Sequence, residues 1–298
     1  MGGKIQILEV GPRDGFQNLK QYVSIDEKLK IIDALIASGV KHIQHTSFVS
    51  PKAVPQFLDS TEITKILLNK YPEFDFIPLV PNYHGASKAF KLRCSRISYV
   101  ISLSASHNRE NINRTHEESF NELKRIMNLY DEKNINIDIA TTFGCPYEGR
   151  FSIHVIVKFI ERIVNIGIKT ITLADTIGIA DPKQVKETVK AVKREYPDIE
   201  FRVHIHDTKN MGMASTLAAI ESGITQVDAS LGGLGGCPFA PGASGNTATE
   251  DLVYMLHRMG YDTGIDFDKL LETSKYEKSI IDGNYSGHHI NITAETHC

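Results

Sequence analysis

Ser38-Gly-Val-Lys-His-Ile43, Asn165-Ile-Gly-Ile-Lys-Thr-Ile171 and Ser222-Gly-Ile-Thr-Gln-Val227 share one form. In each, a glycine just past a helical run precedes an apolar residue and a new β-rich run. Glycine takes the left-handed conformation that ends a helix, so three junctions of one design mark one repeated unit. Working outward from them gives eight β-rich runs: Ile5–Val10, His42–Phe48, Phe74–Val80, Arg96–Ser102, Ile137–Thr142, Thr170–Ala174, Phe201–His206 and Gln226–Ser230. They are rich in Ile, Val, Phe and Thr and mostly lack clean alternation, as strands buried on both faces should.

Amphipathic runs lie between them. Ser24-Ile-Asp-Glu27 is a capping box ahead of the stripe Leu29, Ile32, Leu35 and Ile36. Thr115-His-Glu-Glu118 repeats it ahead of Phe120, Leu123, Ile126 and Leu129, and Asp181-Pro182 opens a further helix with proline at its tolerated first position. Strands alternating with helices imply a parallel sheet. Eight such units favour closure into a (β/α)8 TIM barrel over an open doubly wound sheet. The 298 residues suit one barrel of roughly 250 residues with an appendage. Helices near 247–259 and 266–281 supply that appendage. We read residues 1–283 as one α/β catalytic domain and 284–298 as a polar, loosely ordered tail.

Composition narrows the partners. With 41% apolar and 23% charged residues the chain has the balance of a soluble protein, and a net charge of −3 gives no general affinity for nucleic acid. No uninterrupted run of about 18 apolar residues marks a membrane span. The first ten residues lead almost directly into a strand and carry neither a signal-peptide pattern nor a myristoylation pattern. Cys94, Cys145, Cys237 and Cys298 are widely spaced, which points to reduced thiols and a cytoplasmic setting.

Barrel chemistry sits at the C-terminal ends of the strands. After the first run, Glu9-Val-Gly-Pro-Arg-Asp-Gly-Phe-Gln-Asn18 places Arg13 beside Asp14, either as a surface ion pair or as site residues. In Arg202-Val-His-Ile-His-Asp-Thr208, His204 and His206 lie two apart and face one side, a common metal arrangement. The Gly-rich stretch Gly232–Gly245 is long enough to cover a ligand and brings Cys237 and Asn246, although Asn246 also suits a helix cap. Phe143–Gly149 and Ala174–Gly178 follow two further strands; Asp175 in the latter orients a ligand or satisfies its turn. Asp14, His204, His206 and Asn246 make a mixed oxygen and nitrogen set without thiolate, which favours Mg²⁺ or Mn²⁺, while Zn²⁺ stays open on ligand types alone.

EVGPRDGFQN, TSFVSPK, GCPYEG, ADTIG, VHIHDT and GLGGCPFAPGASGNTATEDLVYML together resemble the 3-hydroxy-3-methylglutaryl-CoA lyase family, within the metal-dependent Claisen-type barrels. The likeness runs from about Glu9 to Leu256. It implies that Asp14, His204, His206 and Asn246 hold the divalent cation, that Arg13 faces the thioester carbonyl, and that Cys237 serves proton transfer. By the same resemblance Lys20 helps hold the CoA end, and a homodimer is expected. The implied reaction is retro-Claisen cleavage of a 3-hydroxyacyl-CoA to acetyl-CoA and a keto acid such as acetoacetate, with Asp14 or a metal-bound water as base.

The departure that matters is in the second β-rich run. Where the family usually has an acidic residue and Thr, this chain has Gln44 and His45 in Ile43-Gln-His-Thr-Ser-Phe48. Gln44 keeps the shape of Glu without its charge. Adjacent strand residues point oppositely, so Gln44 and His45 should not both face the barrel centre; His45 is a titratable candidate to compensate. The change leaves open another acyl-CoA or 2-oxo acid substrate, or a noncatalytic ligand-binding barrel. The polar loop Ser102–Asn113, at a strand end, suggests substrate contacts; its His107 either reaches the site or, as is commoner for a loop histidine, lies solvated, and no role follows for Cys298.

Overall fold

The computed structural model describes residues 2–236 and 245–292. In chain order the elements are β1 (Gln6–Glu9), α1 (Ile25–Ala37), β2 (His42–Ile43), α2 (Ser60–Lys70), β3 (Asp75–Phe76), β4 (Leu79–Val80), α3 (Tyr83–Lys91), β5 (Ile97–Ser102), α4 (Ala105–Ile112) and α5 (His116–Ile126). There follow β6 (Ile135–Ala140), α6 (Ile153–Val164), β7 (Thr170–Asp175), α7 (Pro182–Glu195), β8 (Glu200–Ile205), α8 (Gly212–Glu221), β9 (Gln226–Ala229), α9 (Thr249–Arg258) and α10 (Phe267–Ile280).

The strands pair in parallel in the order β3-β2-β1-β9-β8-β7-β6-β5-β4. The two ends of that order, β3 and β4, are separated in the chain only by Ile77 and Pro78. Ile77 N–H donates to Ile43 O at 2.9 Å, Leu79 N–H to Thr46 O at 3.0 Å, and Ser98 N–H to Pro78 O at 3.0 Å. The ring therefore closes through one strand that Pro78, lacking an N–H, splits in two. These are the eight strands of a (β/α)8 barrel, with α9 and α10 beyond.

Local chemistry explains the boundaries. Ser24 and Thr115 each accept from the backbone three residues on, at Glu27 and Glu118, and both glutamates reach back, so both capping boxes form. Asp181 caps α7 with Pro182 behind it. Gly39, Gly167 and Gly223 have φ of +98°, +107° and +97°, the left-handed turn that the three junctions require. The polar stretch read as a loop holds α4 instead, because Ser104 accepts from His107 N–H and starts a helix.

Alternation is cleaner than the sequence suggested, in the second half of the ring. Ile135, Ile137, Ile139, Ile171, Leu173, Phe201, Val203 and Ile205 join the main apolar core, whereas Asp138, Thr172, His204 and His206 line the central pocket. Leu8, Val10 and Ile77 form a small separate apolar cluster. Deeper polar groups pair with one another: Asn136 Nδ2 donates to Ser98 Oγ at 2.8 Å, and Thr172 Oγ1 donates to Asn136 Oδ1 at 3.3 Å. Such pairing offsets a cost of about 1–3 kcal/mol for each polar group otherwise buried without a partner.

The first part of the polar tail is seated rather than loose. Ser286 Oγ donates to Asn246 O at 3.0 Å and Gly233 O at 3.3 Å, His288 and His289 N–H donate to Asp251, and Ile290 is buried. Beneath it lie three buried acids. Burial pushes Glu9 up to about 7 and Glu250 up to about 8. Burial, with Glu9 and Glu250 adding to it, raises Glu277 well above its usual range, and neither of its oxygens has a hydrogen-bond partner among the described residues.

Acids whose folded pKa is raised favour the native state while protonated. That contribution is whole below their ordinary value of 4.5 and is lost as pH rises through about 7 to 8. Glu277→Gln removes one ionisation, so its thermal midpoint should gain on the parent as pH climbs above the ordinary carboxyl value of 4.5. A difference that stays flat with pH would refute the protonation argument.

Candidate active site and metal centre

The C-terminal end of β1 runs into one π-helical turn, Gly11–Gly15, that carries Arg13 and Asp14. Glu9 ties this turn to the Gly-rich stretch: its Oε1 accepts from Gly11 N–H at 2.7 Å and Leu231 N–H at 2.9 Å, and its Oε2 from Thr249 Oγ1 at 2.7 Å. Across the mouth, β8 presents His204, and His206 follows on the same face.

These segments converge. Asp14 Oδ2 lies 3.4 Å from His206 Nε2 and 3.9 Å from His204 Nε2. One ligand atom from each of the three lies within 4.8 Å of the others, and all three residues are buried. Donors held about 2.1 Å from one small cation stand roughly 3–4 Å apart, so the spacing fits. His204 Nδ1 meets Asp228 Oδ2 at 3.2 Å, which fixes the ring and turns Nε2 toward Asp14. Asn246 Nδ2 donates to Asp14 Oδ2 at 2.8 Å, and a turned amide would present its oxygen instead. Only a glycine allows that approach at position 235, where a Cβ would meet Asn246 Nδ2 at 2.6 Å and φ is +153°.

Arg13 is buried beside this cluster. Its Nη1 donates to Asp14 Oδ1 and its Nε to Gln44 Oε1. Burial pushes the Asp14 carboxyl up, but the Arg13 guanidinium, the His206 hydrogen bond and the His204 imidazole together hold it well below the usual carboxylate range. Such an acid stays ionised near neutrality and behaves as a ligand or counter-charge. The residues open onto a cavity of about 300 Å³, whose other walls include Val49, Val54, Phe57, Val100, His107 and Asp138. A barrel mouth that joins one carboxylate, two imidazoles and a guanidinium can hold a divalent cation and an anionic, oxygen-rich substrate.

The HMGL-like family model matches residues 4–276. The chain belongs to the HMGL-like family. The Homo sapiens mitochondrial hydroxymethylglutaryl-CoA lyase is 41% identical over 275 residues, covering 92% of this chain and 84% of that protein. A Bacillus subtilis hydroxymethylglutaryl-CoA lyase is 38% identical, with 92% of each chain covered. The solved HMG-CoA lyase of Acinetobacter baumannii, in complex with coenzyme A and 3-methylmalate, superimposes with a TM-score of 0.92 at 37% identity, covering 99% of this chain and 97% of that one.

Within this HMGL-like chain, Arg13, Asp14, His204, His206 and Asn246 come together, and Gln44 stands behind Arg13 with its Nε2 unpartnered among the described residues. Lys20 is exposed and away from the cavity walls, although Asn18 lies on them. Asp175 directs its carboxylate to Ile179 N–H at 3.1 Å and Ala180 N–H at 2.8 Å, closing its turn. Cys237 and Cys298 lie outside the described residues.

His45 cannot compensate for Gln44. It points away from the barrel, to Thr64 Oγ1 at 2.9 Å, and burial drives its pKa down to about 3. His107 is buried on α4 and reaches the cavity, with Nδ1 2.7 Å from Ser102 Oγ, rather than lying in a solvated loop. Asp138 and Asp228 escaped the sequence reading. Their signal was the polar member of an otherwise apolar alternation, in Ile135-Asn-Ile-Asp-Ile-Ala140 and Gln226-Val-Asp-Ala229.

Proposed function

We propose that this chain is a metal-dependent carbon–carbon lyase that cleaves a 3-hydroxyacyl-CoA by a retro-Claisen step, with 3-hydroxy-3-methylglutaryl-CoA giving acetyl-CoA and acetoacetate. The observation that carries the reading is the meeting of Asp14, His204 and His206 beside the Arg13 guanidinium at one barrel mouth. The names of the relatives agree with it.

Asp14, His204, His206 and Asn246 would hold the cation, Mg²⁺ or Mn²⁺ by their oxygen and nitrogen donors. When bound, that ion polarises a substrate oxygen as a Lewis acid. In cleavage the tertiary hydroxyl gives its proton to a base, the Asp14 carboxylate or water, C3–O becomes a carbonyl as the C2–C3 bond breaks, and the electron pair of that bond passes to the thioester enolate. Arg13 stabilises the charge that grows on the enolate oxygen. Cys237 returns a proton to C2. Lys20 holds the CoA end, Gln44 keeps Arg13 in place, and Asp175 shapes the rim through its turn. Two buried free thiols, Cys94 and Cys145, accord with a reduced cytoplasmic setting, and a homodimer is the proposed assembly.

The test is incubation of the Mg²⁺- or Mn²⁺-loaded protein with a panel of 3-hydroxyacyl-CoA thioesters, with acyl-CoA and 2-oxo acid pairs for the condensing direction. Acetyl-CoA and acetoacetate from 3-hydroxy-3-methylglutaryl-CoA are expected. Cleavage of a different thioester alone would remove the substrate and keep the chemistry. Metal and CoA binding without turnover of any thioester would support the noncatalytic alternative raised by Gln44.

A further inference from the structure

The candidate cation ligands occupy one arc of the ring. Asp14 follows β1, His204 and His206 belong to β8, and Asn246 follows β9, which lies between those two strands. The opposite arc is β4, β5 and β6. It lines the cavity with Val100, Asp138 and Ala140, and α4 adds His107 and Asn111.

Asp138 is fixed there. Asn136 Nδ2 donates to its Oδ1 at 2.5 Å, and Asn136 is itself held between Ser98 and Thr172. In the strand register Asp138 stands level with Val100 on one side and Thr172 on the other, and both also line the cavity. Burial raises its carboxyl, and Asp228 adds to this, while Arg13 and His204 pull the other way.

Consider the carbinol carbon of a substrate on this site. It bears a hydroxyl, a carboxylate arm, the thioester arm and one further group. The hydroxyl and carboxylate belong with the cation arc. The thioester belongs with Arg13 and the mouth, because CoA is too large for a cavity of about 300 Å³. The fourth group is left facing the arc of Asp138 and His107. A methyl there would cover a carboxyl without offering it a hydrogen bond, which costs free energy.

We propose that the fourth group is a hydrogen-bond donor received by Asp138, so that the preferred substrates are 3-hydroxyacyl-CoA thioesters with a polar branch, hydroxymethyl in the simplest case. This rests on the lyase chemistry above and moves its preferred substrate from the methyl-bearing thioester to one with a polar branch. Asp138 is then a specificity-determining residue, with His107 shaping the same wall.

The experiment compares 3-hydroxy-3-methylglutaryl-CoA with its hydroxymethyl counterpart on the metal-loaded enzyme. It adds calorimetric binding of the matching thioethers, which cannot form the enolate. The hydroxymethyl compound should be favoured in kcat/KM by about tenfold or more. Asp138→Leu should abolish that preference, chiefly through KM and thioether affinity, while Asp138→Asn, which keeps an acceptor oxygen, should retain most of it. If both thioesters are cleaved and the methyl compound is favoured, or the ratio is the same in Asp138→Leu, the proposal falls and the lyase reading stands. If neither is cleaved and the thioethers bind without preference, both fall. If neither is cleaved but the hydroxymethyl thioether binds more tightly, the recognition stands and the lyase reading falls.

Discussion

H204A should lose its bound cation and its turnover together. His204 presents Nε2 3.9 Å from Asp14 Oδ2, inside a three-residue cluster that has no spare imidazole among the described residues. Its removal leaves one imidazole, one carboxylate and one amide. Stabilisation of transition-state charge by a metal is worth several kcal/mol. At about 1.4 kcal/mol per decade, that is a loss of about 10³-fold in kcat/KM. Asp228→Asn gives the graded comparison. It leaves every ligand in place and weakens the contact that aims His204, at 3.2 Å, so metal affinity should fall about 10–100-fold. Metal content after dialysis and circular dichroism on the same samples separate loss of the ion from loss of the fold. An H204A protein that still turns over would sink the ligand assignment.

Arg13→Gln should reduce kcat by about 10²–10³-fold with metal content preserved, the range found when one donor to a developing oxyanion is removed. Arg13 is buried, with Nη1 on Asp14 and Nε on Gln44. Two of its donor positions are thus committed to orientation, and the remaining N–H groups are available to a substrate oxygen. An effect confined to kcat marks an interaction formed only as charge develops. Arg13→Lys should not restore the rate, because a single ammonium cannot hold the fork on Asp14 and Gln44 while facing the substrate. A change in KM alone would mean that Arg13 binds the ground state and that the enolate oxygen is stabilised elsewhere.

The barrel was legible because its signals are local. A glycine after a helix, a serine three residues before a glutamate and a β-rich run each act within one turn or one strand, and all three junction glycines carry positive φ as their setting requires. The convergence of Asp14 with His204 and His206 was legible for a different reason: strand ends meet at one face of a closed ring wherever they fall in the chain. What the sequence hid depends on neighbours far away. Whether His107 meets water or the cavity is decided by α4, which Ser104 starts with a side-chain bond to His107 N–H at 3.0 Å. The inward side of Asp138 is set by the register of β6 against β5 and β7, and a residue flanked by isoleucines does not announce which face it takes. The proline break in the third strand is a similar case, since Pro78 stands inside a run that otherwise reads as one strand.

The Ser286 hydroxyl holds the carbonyls of both Gly233 and Asn246, stitching together the two roots of the Gly-rich stretch from 40 residues beyond Asn246. During synthesis Asp14 waits for 232 further residues before Asn246 can meet it. The barrel wall can assemble strand by strand, yet its mouth gains this last stitch only once residue 286 has emerged. A nascent ring is therefore a scaffold before its mouth is complete.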